Sequence, residues 1–95
     1  MFIIHVNYKV SLDIVEQYLS AHVDYLKQQY ALGHFIASGR QVPRTGGVIL
    51  SSMHSRKALE QVLEQDPFKQ NKLAEYVITE FVPSMTCKEL DFLKQ

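Results

Sequence analysis

The spacing of apolar residues along the chain switches between two and about 3.6, and each switch marks an element. Over residues 2–8 the alternation is strict, with Phe2, Ile4, Val6 and Tyr8 on one side and Ile3, His5 and Asn7 on the other, as in a strand. From residue 11 to 33 the period is helical, and Leu12, Val15, Leu19, Val23, Leu26 and Tyr30 form the face predicted to be buried. Ser11 stands at the N-cap, Asp13 puts negative charge in the first turn, and Gly33 suits a left-handed stop. Residues 34–38 predict a second strand ended by Gly39, and residues 40–47 a loop holding Pro43 and the Gly46-Gly47 pair. Residues 48–53 predict a third strand, paired with the second as a hairpin. Ser55 caps a second helix with Ala58, Leu59, Val62 and Leu63 turned inward. That helix stops at Asp66-Pro67, because the residue before proline avoids helical geometry. The same dipeptide restarts a short turn over residues 68–73, with Asp66 as N-cap and Pro67 at the first helical position. Residues 75–82 predict a fourth strand closed by Pro83. The tail, residues 84–95, carries a capping box in Thr86 and Glu89 and then Leu90, Phe92 and Leu93, the pattern of a short amphipathic helix.

The order β-α-β-β-α-β specifies an α+β, ferredoxin-like arrangement, a four-stranded antiparallel sheet with both helices on one face. The strands nevertheless carry apolar residues on both sides: Ile3 opposes Ile4, Val77 opposes Ile78, and Val48-Ile49-Leu50 is unbroken. A wet second face would expose a larger apolar patch than soluble monomers tolerate, so a homodimer packed sheet against sheet is expected. Residues 1–83 form the domain and residues 84–95 a tail expected at the dimer interface.

Composition narrows the partners. With 46% hydrophobic residues over 95 positions, the chain can build one core without metal or disulfide staples. Ten basic residues are balanced by ten acidic ones, leaving no positive field for nucleic acid. No apolar run is long enough to span a membrane, and the N-terminus shows no charged region followed by an apolar stretch and cleavage site. A single cysteine, Cys87, forms no internal disulfide, and a cytoplasmic location is expected.

Candidate chemistry centres on His22. On the helical wheel it lies beside Val15 at the edge of the apolar arc, flanked by Tyr18 and Tyr25, whereas Asp24 points about 160° away. Two readings remain open at this point: a core-edge histidine bonded to a carbonyl, or a proton-transfer residue in a partly desolvated pocket. The histidines His5, His22, His34 and His54 show no three- or four-residue helical spacing and no nearby cysteine, so neither a metal nor another cofactor is expected. Cys87 lies beyond the last strand, a poor place for a nucleophile, and no serine sits in a nucleophile elbow. Gly46-Gly47 precedes a strand rather than a helix, so it reads as a turn needing positive φ and not as a phosphate cradle. Arg40 and Arg44 flank that loop and could hold a carboxylate or phosphate, or be solvated surface. Asp66 is an N-cap by geometry, and its second oxygen would remain free to accept from an imidazole N–H.

Several short motifs in this order resemble the YciI-like (YCII-related) family over residues 2–83. They are His22-Val23-Asp24-Tyr25-Leu26, Ala37-Ser38-Gly39, Pro43-Arg44-Thr45-Gly46-Gly47 and Asp66-Pro67-Phe68. The resemblance implies the dimeric α+β barrel superfamily and a His-Asp pair between helix and sheet, which falls on His22 and Asp66. It implies a small-molecule enzyme; one class of members eliminates chloride from a chlorinated hydroquinone. The expectation is therefore acid/base chemistry, by elimination, isomerisation or hydrolysis, on a small and anionic cyclic ligand held by Ser38, Arg40 and Arg44. The alternatives are a non-catalytic ligand-binding or structural dimer, and a cofactor-free oxygenase of the same barrel architecture. Two positions depart from the family pattern. Arg40 follows Gly39 where proline is frequent, and Lys72 stands where a glycine is common, beside Asn71, which tolerates left-handed geometry.

Overall fold

A computed structural model describes residues 1–94. Its elements are β1 (Phe2–Tyr8), α1 (Leu12–Ala31), β2 (Phe35–Arg40), β3 (Gly46–Ser51), α2 (Arg56–Leu63), α3 (Pro67–Gln70) and β4 (Ala74–Glu80), followed by a 3-10 turn over Lys88–Leu93. The sheet order is β2-β3-β1-β4 with every neighbouring pair antiparallel, the ferredoxin-like topology expected from the pattern. Each crossover, through α1 or through α2 and α3, skips one strand. The helices therefore share a single face.

Register decides what that face presents. Val6 lies between Gly47 and Tyr76, and Ile4 between Ile49 and Ile78, so Phe2, Ile4, Val6, Ile49, Tyr76 and Ile78 point toward the helices. Phe2 and Ile4 are fully buried there with Val15, Leu59, Leu63 and Phe68, and Phe35 is nearly so. Each such side chain contributes on the order of 1.5–3 kcal/mol of burial. The opposite face carries Ile3, His5, Val48, Leu50 and Val77, half-buried or exposed in the single chain.

Helix α1 corrects the expected face. Val15 is sealed, yet Leu12, Val23 and Tyr30 are more than a third exposed, while Tyr25 and Gln29 are buried. The inward stripe is Val15, Tyr18, His22, Tyr25 and Gln29, turned about 80° from the purely apolar arc. Burial of that stripe is tolerated because its most buried polar side chains, Tyr25 and Gln29, find partners. The Tyr25 hydroxyl donates to the Val62 carbonyl at 2.8 Å, and His34 Nδ1 meets Gln29 Oε1 at 2.7 Å. The displaced arc of Leu19, Val23 and Leu26 borders an open cavity.

The helix ends follow local rules with some exceptions. At α1, Gly33 has φ 77°, with Gly33 N–H bonded to the Tyr30 carbonyl and His34 N–H to that of Gln29, a Schellman closure. The Ser11 side chain makes no capping bond, whereas Ser55 Oγ accepts from Ala58 N–H. Neither Gly46 nor Gly47 has positive φ; Gly46 is required because a Cβ there would lie 2.0 Å from the Val6 carbonyl oxygen. The strands also start or end up to two residues away from the pattern, since pairing rather than composition sets their limits. In the tail, the Thr86 and Glu89 capping box does not form: the turn begins after Cys87 and is 3-10, and Thr86 Oγ1 points to Asp91 instead. Leu93 is buried against its own chain while Met85 and Phe92 stand exposed. Among the described residues no helix is long and apolar enough to cross a membrane.

Candidate active site

The Asp66-Pro67 step places the central acid. Proline at N1 fixes the entry into α3, and Asp66 Oδ1 caps it by accepting from Phe68 N–H at 3.0 Å. The same oxygen lies 2.8 Å from His22 Nδ1. Because a carboxylate can only accept, Nδ1 carries the proton and the imidazole is held as the Nδ1–H tautomer. By sequence the second oxygen is expected to be free for the imidazole; instead Oδ1 takes both the cap and the imidazole bond, and Oδ2 accepts from the Tyr76 hydroxyl at 2.6 Å. Asp66 is fully buried and the His22 side chain is 12% exposed. Phe68 stacks flat on the imidazole, centroids 3.9 Å apart and planes 3° apart, so the ring is clamped as well as bonded.

With Nδ1 engaged, Nε2 is the nitrogen left for chemistry. Among the described residues it has no hydrogen-bond partner, and the one sealed side-chain polar atom without a partner is Gln41 Oε1. His22 lines a cavity of about 500 Å³ between α1 and the sheet. Its apolar walls include Leu19, Val23 and Leu26 from the helix and Val6 and Ile49 from the strands, with Phe68 beside His22. Such a volume suits a single-ring ligand.

The remaining expected residues separate. Ser38 lines the cavity, its hydroxyl sharing a 2.6 Å hydrogen bond with that of Tyr30. Arg40 and Arg44 both line it, but Arg44 is paired with Glu16 of α1, and that bond holds its guanidinium above the ordinary value. Arg40 has no ion-pair partner among the described residues. Thus Glu16 already compensates one of the two cations expected to meet an anion, and Arg40 is left as the open one. Tyr76 and Glu16 were not singled out by sequence pattern. For Tyr76 the signal was present: a phenol at an inward strand position needs an acceptor. Burial first, and then the Asp66 charge, push the Tyr25 and Tyr76 phenols far above the ordinary value of 10.0. Among the described residues no group of three His, Cys, Asp or Glu side chains is placed to hold a metal ion.

A family model described as the YCII-related domain matches residues 1–82. The chain belongs to the YCII-related family. No curated protein matches the sequence significantly. Among solved structures, this YCII-related chain is similar to 5-chloro-2-hydroxyhydroquinone dehydrochlorinase from Burkholderia phenoliruptrix, determined in complex with 2,5-dihydroxybenzoquinone. The TM-score is 0.73 at 20% identity, covering 84% of this chain and 91% of that one. At that identity the likeness establishes a shared fold.

Proposed function

We propose that this YCII-related protein is a small-molecule enzyme that uses His22 as general acid/base, with Asp66 orienting the imidazole and Arg40 receiving an anionic group. One observation carries the reading: an imidazole clamped through Nδ1 to a buried carboxylate leaves Nε2 unpartnered beside a cavity of about 500 Å³. Elimination is the favoured reaction class, supported by the name of the dehydrochlorinase of like fold. Nε2 takes a proton from the ligand, the released electron pair forms the new double bond, and a leaving group on the ligand departs with its bonding pair. The imidazolium then returns the proton to solvent. Ser38 and the Arg44–Glu16 pair shape the cavity mouth. Two copies pack through Ile3, Val48, Leu50 and Val77 to cover the open sheet face, and the homodimer works in the cytoplasm; a monomer by light scattering would contradict that assembly.

The test is a screen of single-ring phenolates, carboxylates and halogenated hydroquinones, read by turnover and by perturbation of the His22 ring resonances. For a verified substrate, His22→Ala and Asp66→Asn lower kcat by about 10²–10⁴. Arg40→Ala raises KM for an anionic substrate more than for a neutral one. Turnover untouched by His22→Ala overturns the assignment. Ligand binding at His22 without turnover of any compound favours a non-catalytic binding protein instead.

A further inference from the structure

The carboxylate of Asp66 is held at both ends, although a helix cap needs only one. Phe68 N–H and His22 Nδ1–H share Oδ1, and the Tyr76 hydroxyl takes Oδ2 at 2.6 Å. Tyr76 reaches it from β4, an element that supplies none of the other groups in the pair. Its ring is fixed in turn by the Lys69 ammonium of α3, 5.3 Å from the centroid.

Held by Oδ1 alone, the carboxylate could turn about Cβ–Cγ and exchange which oxygen faces the imidazole. With Oδ2 bonded, that rotation breaks a short bond in a buried setting. The other polar groups around the pair do not substitute for the phenol. Tyr25 of α1 gives its hydroxyl to the Val62 carbonyl, Lys69 lies over the Tyr76 ring, and Glu16 is bound to Arg44 with the Tyr8 hydroxyl beside them. Arg40 lines the far wall of the cavity on β2.

We propose that Tyr76 is a positioning residue: by holding Asp66 Oδ2 it keeps Oδ1 aimed at His22 Nδ1, and so keeps the Nε2 lone pair turned to the cavity. This rests on the reading of His22 and Asp66 as the working pair, and it adds a third member acting through the second.

The experiment is a ¹⁵N measurement of the imidazole tautomer in the full-length protein labelled at histidine, in the neutral state of the ring. In the unmodified protein His22 shows a protonated Nδ1 and an unprotonated Nε2. In Tyr76→Phe, which removes one oxygen and keeps the ring, the ratio of the Nδ1–H to the Nε2–H form falls about fivefold. An unchanged ratio in Tyr76→Phe overturns the role of Tyr76 and leaves the His22–Asp66 reading standing. An Nε2–H tautomer in the unmodified protein overturns that reading itself. Replacement of Tyr76 by 3,5-difluorotyrosine gives an arm that does not depend on the phenylalanine variant folding. The more acidic phenol draws harder on Asp66, so the His22 Nδ1–H proton moves upfield; a stationary resonance also overturns the proposal.

Discussion

Replacing Asp66 by alanine tests the largest concentration of polar interactions in the fold. The side chain is fully buried and receives the Phe68 N–H, the His22 Nδ1–H and the Tyr76 O–H. Losing the cap of α3 costs about 1 kcal/mol. Leaving the buried Tyr76 hydroxyl without an acceptor costs about 2 kcal/mol more. His22 retains some exposure and can turn to water, so its share is the smallest. The expected loss is therefore about 3 kcal/mol, a large part of the ~5–10 kcal/mol that holds a domain of this size. At roughly 5 °C per kcal/mol, the melting temperature falls by about 15 °C. Thermal unfolding followed by circular dichroism at fixed protein concentration measures it. A double-mutant cycle separates the parts: in a Tyr76→Phe background the orphaned hydroxyl is already gone, so Asp66→Ala costs about 2 kcal/mol less. A loss below about 1 kcal/mol, or the same loss in both backgrounds, refutes the view that Asp66 anchors this network.

The other stability predictions concern single groups. Lys72 holds φ 58° at the position after the α3 cap, where a side chain is strained by about 1–2 kcal/mol. Lys72→Gly relieves that strain against the larger backbone entropy of glycine and raises stability by about 0.5–1 kcal/mol, read as a higher denaturation midpoint; a lower midpoint contradicts it. Tyr25 and Tyr76, raised mainly by burial, stay un-ionised in the folded protein when exposed phenols titrate. Their contribution is complete below the unfolded value of 10.0 and is lost as pH climbs above it toward the raised folded values, because only the unfolded chain then sheds those protons. Ultraviolet absorbance should show these two of the five tyrosines silent until alkaline unfolding, and reversible titration of all five in the folded state contradicts the burial argument.

Much of this architecture is legible in the sequence because its signals are local. Alternation over residues 2–8, Ser55, Gly33 and the Asp66-Pro67 step act within a few residues of themselves, and all match the observed elements. What eluded pattern reading depends on distant partners. Tyr18, His22 and Tyr25 stand at the edge of the apolar arc by pattern, yet the buried stripe centres on them and Gln29, because Tyr25 and Gln29 find partners in the distant Val62 carbonyl and in His34. The Glu16–Arg44 pair joins positions 28 residues apart, which no spacing rule connects. Lys72 stands where the family pattern has a glycine, beside Asn71, a residue type that tolerates left-handed geometry. The structure puts Asn71 at φ −98° and gives the strained position to Lys72, because the Phe68 and Lys69 carbonyls fix where the Schellman bonds close.

The cavity draws its walls from segments with separate obligations. The groups that would move protons, His22 and Asp66, are locked by Phe68 and Tyr76 from the helices and β4, while part of the opposite wall is the small Ser38 side chain and the bare Gly47 backbone on the β2–β3 hairpin. A bulkier residue at Ser38 would shrink the chamber without touching the imidazole or its anchor. The shape of the cavity can thus drift through the hairpin while the histidine–aspartate pair stays put. Relatives with divergent hairpins and an intact histidine–aspartate pair are where a change of substrate should be sought first.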